Sequence, residues 1–275
     1  MSISILAENV ANAPALRVAG APGRPTLLFL HGAFVTHEPW RPWLARLGAR
    51  GWPGLAVARR GRLGFGPAQA KGLRFQDYLE DTLRVIDTLD QPPVLVGHSL
   101  GALLAQKAAE LGRARALVLL SPAPAAMLTA QPVALPAYLP MLPKIMTGRS
   151  LLPPAGACRR LVLNRVPESE HGAAHGSLVH ESGAVYRDLM LGAVHVDPAR
   201  VRCPTIVLSG EHDHVISTAL ARFTAKRYGA TLEIYPEHAH WILGEPGWEK
   251  VADRVVAWLA ETCRAEVEQA SGQRA

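Results

Sequence analysis

Nowhere in the 275 residues does an uninterrupted apolar run reach the roughly 18 residues that a membrane-spanning helix needs. The first twenty residues also lack the basic start and continuous apolar centre of a secretory signal. Cysteine is scarce. Cys158, Cys203 and Cys263 are far apart, odd in number and form no CxxC pair, so neither a disulfide framework nor a dithiol redox site is indicated. The expectation is a cytoplasmic protein without a membrane partner. Acidic residues are outnumbered, 23 against 29 Lys and Arg, leaving a net charge of +6. Only Arg59, Arg60 and Arg62 cluster, however, and no aromatic RNA motif, zinc-finger spacing or basic helix accompanies them. A mildly basic surface with no nucleic-acid partner is expected. Repeats with a period of 20 to 50 residues are missing as well, which excludes a solenoid or propeller.

What is present is globular composition, 49% hydrophobic and 19% charged, enough for a sizeable core. Short apolar runs at 26–30 (TLLFL), 55–58 (LAVA), 94–96 (VLV), 116–120 (ALVLL), 205–208 (TIVL) and 232–235 (LEIY) read as strands. Most show no polar alternation, as expected of strands covered by helices on both faces. Between them, residues 75–89 place Tyr78, Leu79, Thr82, Val85, Ile86 and Leu89 on one helical face, and 248–262 do the same with Trp248, Val251, Val255, Trp258 and Leu259. Residues 1–20 read as a leading antiparallel hairpin. The alternation predicts an α/β protein with a doubly wound, mostly parallel sheet.

The rhythm breaks once, between Pro122 and Pro204, in a stretch that opens with six prolines. So long a connection is unusual in a compact domain. Its apolar pieces, MLPKIM, CRRLVLNRV and VYRDLMLGAV, predict short packed helices. The division expected is therefore a core of residues 1–121 and 204–275 with an inserted helical cap at 122–203.

Four signals carry chemistry, and each follows a strand. Gly97-His98-Ser99-Leu100-Gly101 sits between VLV and the helical run ALLAQKA, the strand–turn–helix context of a nucleophile elbow. There Ser99 is exposed on a strained turn, and the helix N-terminus beneath it supplies positive potential for an oxyanion. His31-Gly32-Ala33 ends TLLFL and offers a second backbone donor, so Ala33 and Leu100 are the expected oxyanion-hole N–H groups. After TIVL comes Gly210-Glu211-His212-Asp213-His214. Glu211 and Asp213 compete as the acid, with Asp213 preferred because it lies farther into the loop. After LEIY comes Pro236-Glu237-His238-Ala239-His240-Trp241, where His238 and His240 compete as the base and His240, deeper in the loop, is preferred. Ser, then Asp, then His is a chain order this architecture uses. The two paired histidine clusters also suggest zinc, a rival reading that leaves the elbow and the HGA turn unexplained.

Four motifs in this order, each ending a strand, make the chain similar to the α/β-hydrolase superfamily in its capped, esterase-like branch, over nearly its whole length. The resemblance implies a cap inserted after the sixth strand and a Ser99–His240–Asp213 triad. Two departures stand out. Ala58 replaces the usual aspartate of a turn resembling DxRGxGxS around Gly61, and Ala239 replaces the usual glycine before the histidine. The function implied is hydrolysis of a carboxylic ester or related small acyl compound, with no metal or organic cofactor. Thioesters, lactones, amides and carbon–carbon bonds beside a ketone are alternatives for the same triad, and a non-catalytic binding protein on this fold is a further one. The proline-rich apolar cap, with Trp40 and Trp43 near the HGA turn, points to a hydrophobic acyl or aromatic substrate, although such tryptophans more often fill a core than line a pocket. Leu135, Tyr138, Leu139, Met141 and Met146 are the expected pocket lining. Nothing in the sequence sets an oligomeric state.

Overall fold

A computed structural model of the chain describes residues 4–62, 66–126 and 131–272, with side chains as far as residue 262. Residues 63–65 of the turn at 58–66, the first three residues of the expected hairpin and the Cys263 side chain lie outside the described residues.

Eight strands form one sheet in the order β1-β2-β4-β3-β5-β6-β7-β8. The first two, β1 (Ile5–Val10) and β2 (Ala13–Val18), are the antiparallel hairpin expected at the N-terminus. β3 (Leu27–Leu30), β4 (Gly54–Val57), β5 (Val94–His98), β6 (Ala116–Leu120), β7 (Thr205–Gly210) and β8 (Thr231–Tyr235) run parallel. Each of these six falls on an apolar run identified in the sequence. Those of β3 to β7 are continuous because successive side chains point to opposite faces and both faces are covered, whereas β8, at the sheet edge, is only half-buried and carries Glu233.

The covering helices divide between those faces. On one side α3 (Phe75–Ile86), α4 (Leu100–Glu110) and α10 (Thr218–Tyr228) pack against Leu28, Leu30, Leu95, Leu117, Leu119 and Val207. On the other, α1 (Arg41–Gly48) and α11 (Trp248–Gly272) pack against Leu27, Phe29, Val96, Val118, Ile206 and Leu208. A short α2 (Pro67–Ala70) precedes α3. Local chemistry sets some boundaries. The Ser217 side chain accepts the Leu220 N–H and caps α10, and Asp77 accepts the Arg74 N–H at the start of α3.

Trp40 and Trp43 belong to this second core, the commoner place for such residues, and do not line the cavity that holds Ser99. Both are fully buried beneath the sheet, and Trp43 Nε1 donates to the Leu243 carbonyl at 2.8 Å. Large aromatic surfaces gain more by filling the space between α1, α11 and the sheet than by lining a water-filled cleft.

Between β6 and β7 the described chain carries α5 (Leu135–Tyr138), α6 (Leu142–Met146), α7 (Ala155–Leu161), α8 (His171–Gly176) and α9 (Gly183–Met190). This segment has a small core of its own, in which Ala134, Tyr138, Met141, Ile145, Leu161 and Tyr186 pack with Phe34 of the β3–α1 loop. No helix among the described residues is long and apolar enough to cross a membrane.

Candidate active site

The loops leaving the carboxyl ends of β3, β5, β7 and β8 meet at one point on the sheet edge, where parallel α/β sheets present their ligand sites. β5 runs directly into α4 through Ser99, whose backbone takes φ 53° and ψ −117°. A non-glycine residue in this region is strained, and here the strain lifts the hydroxyl clear of the sheet. The turn closes because its flanks lack Cβ atoms. One built on Gly101 would lie 2.0 Å from the Leu30 carbonyl oxygen, and one on Gly97 would lie 2.6 Å from the backbone of Ala102.

Ser99 Oγ lies 3.1 Å from His240 Nε2, and His240 Nδ1 lies 2.9 Å from Asp213 Oδ2. All three residues are buried to within a few per cent. The second carboxylate oxygen of Asp213 accepts the N–H groups of Val215 and Ile216, both at 2.7 Å, which fixes the carboxylate plane. Backbone pairing brings the Asp213 and His240 loops together: Glu211 N–H donates to the Tyr235 carbonyl and His212 N–H to the His238 carbonyl. The competing residues lie elsewhere. Glu211 is exposed, and His238 packs edge-on to Tyr235 with neither ring nitrogen bonded to any described residue. Among the described residues no three His, Cys, Asp or Glu side chains converge as a metal would require.

Ala33 lines the same cavity as Ser99 and His240, and Leu100 opens α4 directly after Ser99. Neither backbone N–H has a hydrogen-bond partner among the described residues, so both donors are free. The loop that carries Ala33 is held from two sides. Arg59 donates one guanidinium N–H to the Gly32 carbonyl at 2.9 Å and another to the His31 carbonyl. The Phe34 carbonyl accepts from Val179 N–H at 2.8 Å, with Phe34 itself at φ 62°.

Two supporting residues have roles that no motif assigned. His98 Nε2 donates to the His240 carbonyl at 2.8 Å, and burial pushes its pKa down to about 3, so the ring stays neutral beneath His240. Glu245 is fully buried and accepts the N–H groups of Ala239 (2.7 Å) and Trp241 (3.1 Å), the two neighbours of His240. Desolvation raises its pKa to about 7 against the bonding of those two donors.

The arginines at 59, 60 and 62 divide between interior and surface: Arg59 and Arg62 are buried, and only Arg60 reaches the outside, where it pairs with Asp81 at 2.7 Å. The Arg62 guanidinium pairs with the Glu181 carboxylate, each side chain wholly shielded from water. Glu181 also accepts from Tyr78 Oη at 2.6 Å and from Ser182 N–H at 2.8 Å. Burial lowers the Arg59 pKa to about 10, aided by repulsion from Arg62. A three-arginine turn after a strand looks like solvated charge in sequence, and only the distant Glu181 could have signalled otherwise.

The cavity over Ser99 measures about 70 Å³. Its walls include Tyr138, Met141, Cys158, Leu161 and Tyr186 from the segment between β6 and β7. Of the five residues expected to line it, Tyr138 and Met141 do so. Leu135, Leu139 and Met146 instead face solvent, more than half exposed. The reason is geometric: α5 and the turn after it present only one face inward, and 138 and 141, three residues apart, share it.

The profile of the Alpha/beta hydrolase family matches residues 27–254. No curated protein matches the sequence significantly. Solved structures do match in fold. A monoacylglycerol lipase of Paleococcus ferrophilus is similar with a TM-score of 0.71 and 21% identity, over 91% of this chain and 99% of the other. A hydrolase from Pseudomonas aeruginosa PA01 is similar at 0.68 and 22%, over 94% and 98%. The 2-hydroxy-6-oxo-6-phenylhexa-2,4-dienoate hydrolase of Rhodococcus sp. strain RHA1 gives 0.67 and 16%, over 93% and 98%. At these identities the likeness is one of fold.

Proposed function

The chain belongs to the α/β-hydrolase family, and from that premise we propose that it is a serine hydrolase cleaving a carboxylic ester, or a related acyl compound, through an acyl-enzyme. The observation that carries this reading is the unbroken relay from Ser99 Oγ to His240 Nε2 to Asp213 Oδ2, at 3.1 and 2.9 Å.

Ser99 attacks the carbonyl carbon while His240 Nε2 takes the hydroxyl proton. Asp213 holds the Nδ1–H, keeps the ring in the tautomer that can accept at Nε2 and stabilises the imidazolium that forms. Negative charge then collects on the former carbonyl oxygen, where the free N–H groups of Ala33 and Leu100 and the α4 N-terminus receive it. His240 returns its proton to the departing alkoxide. Water enters, gives a proton to the same nitrogen and attacks the acyl carbon. Collapse of the second tetrahedral intermediate frees the acid and restores the Ser99 hydroxyl. No step calls on a metal or organic cofactor.

Residues 122–203 act in this reading as a cap over the reaction, and their apolar wall around Ser99 supports a preference for apolar acyl groups. The test is a panel of p-nitrophenyl esters assayed with wild-type protein and Ser99→Ala. Wild-type turnover should fall by about 10⁴-fold or more in the variant, at an unchanged melting temperature. A folded Ser99→Ala protein that keeps substantial turnover would refute the assignment.

A further inference from the structure

The cavity at Ser99 is small, about 70 Å³, and a further cavity adjoins it. Behind Phe34, Pro153, Cys158 and Val162, which line it, lies a second cavity of about 60 Å³ walled by the same four residues. The rest of this neck is Leu163, Ala174 and Leu178, so its lining is apolar apart from the Cys158 thiol, which burial keeps protonated with a pKa near 11. Val162, Leu163, Ala174 and Leu178 then form one wall of a third cavity, a surface groove of about 670 Å³. The floor of that groove is Trp241, Leu243 and Trp248, and its rim carries the Glu38–Arg41 ion pair. The three compartments share walls in sequence, with Val162 common to all of them.

We propose that the neck and the groove are the distal part of the substrate site and take the tail of a straight acyl chain whose first carbons lie in the cavity at Ser99. The proposal rests on the serine-hydrolase reading above. Three observations select this occupant. The neck offers no hydrogen-bond partner to a polar chain, so what passes through it is aliphatic. It is the smallest of the three compartments, at about 60 Å³, which favours a slim unbranched chain. The groove is floored by two half-buried tryptophans, one of which, Trp241, follows the proposed base directly and stands edge-on to His98 at 5.6 Å. The chemistry assigns the tail to the acyl side. The acyl group stays joined to Ser99 through both half-reactions, whereas the alcohol must leave before water attacks, and a long alcohol threaded through the neck would obstruct that exchange. A single chain held along this path contacts α7, α8 and the loop carrying His240 at once.

The experiment compares p-nitrophenyl butanoate with decanoate, below micelle-forming concentrations, in wild type, Ala174→Trp and Ala173→Trp. Ala174 stands at the junction of neck and groove, while Ala173 is exposed on the groove wall, where a large side chain is compatible with folding. In wild type kcat/KM should be at least tenfold higher for decanoate. In each variant that ratio should fall at least fivefold. A calorimetric titration with sodium decanoate supplies a readout that needs no turnover. Wild type should bind it, and Ala174→Trp should bind at least tenfold more weakly. A flat ratio in wild type, a ratio untouched by both substitutions, or length dependence seen only in alkyl acetates of increasing alcohol length would overturn the proposal while leaving a serine hydrolase in place. Loss of the hydrolase reading would look different, as no ester turnover or turnover that survives in Ser99→Ala. In that event decanoate binding weakened by Ala174→Trp would still support the groove, and no binding to wild type would overturn it.

Discussion

Removing the charge of Glu181 should be among the most damaging single changes in the molecule, although Glu181 touches no reacting atom. Its carboxylate is wholly buried and faces the equally buried Arg62 guanidinium, and it also accepts from Tyr78 Oη and Ser182 N–H. Glu181→Gln keeps the shape and one acceptor, but leaves Arg62 charged, dehydrated and without a counter-ion. Breaking a buried pair from one side costs about 3–5 kcal/mol. In a domain of this size each kcal/mol lowers Tm by about 2–4 °C, so a fall of about 6–20 °C is expected by circular dichroism. The control removes the whole polar group. In Arg62→Met/Tyr78→Phe/Glu181→Leu both charges and the phenol are gone, the half-buried His180 carbonyl exchanges its Arg62 donor for water, and the remaining cost is chiefly the unpaired Ser182 N–H, about 1–3 kcal/mol. The triple variant should therefore melt above the single one. A Glu181→Gln protein within 2 °C of wild type, or a triple variant that melts below it, would refute the account of this pair. Glu181 is also joined to Leu151 by two backbone hydrogen bonds of 2.9 Å, so the pair ties the segment between β6 and β7 to the core turn after β4. Loosening it should raise KM as well.

Replacing the proposed acid by Asp213→Asn should lower kcat by about 10³- to 10⁴-fold through the wrong tautomer and the lost charge, whereas Glu211→Gln, on an exposed side chain, should stay within about twofold of wild type by steady-state kinetics. His240→Ala should abolish turnover, while His238→Ala should retain most of it; the reverse order in the same assay would move the base. Glu245 carries a pH signature. Its folded pKa is raised from 4.5 to about 7, so the folded state binds the extra proton, and stability is lost as pH rises between those values, by up to about 3 kcal/mol. Glu245→Gln has no such titration, and denaturant unfolding at pH 5 and pH 8 should show it gaining on wild type at the higher pH; parallel profiles would contradict the buried-carboxylate reading.

The sheet was legible because its inner parallel strands are apolar runs bounded by turn residues, and burial on both faces leaves them no competing period, while the edge strand β8 kept enough apolar residues to be seen. The turn at Ser99 and the loops that bring Asp213 and His240 to it were legible for a related reason. A tight turn needs small neighbours, which mark the sequence around Ser99, and the carboxyl ends of strands locate the other two loops. The supporting residues were not. Glu245 and Glu181 act on backbone groups and side chains that only the folded chain brings near them, the latter across 119 positions to Arg62. The segment between β6 and β7 showed that it contained helices, but not their orientation. Short proline-broken turns have too few residues for a period to emerge, so Leu135, Leu139 and Met146 were expected inside and are found outside.

The central claim is that Ser99 is an activated nucleophile, and the most direct measurement is labelling of the folded protein with an alkyl fluorophosphonate, followed by peptide mass spectrometry. The account predicts one phosphonyl group per chain, on the peptide containing Ser99, at a rate greatly reduced in His240→Ala. Label on any other serine, or none on a protein that circular dichroism shows to be folded, would contradict it.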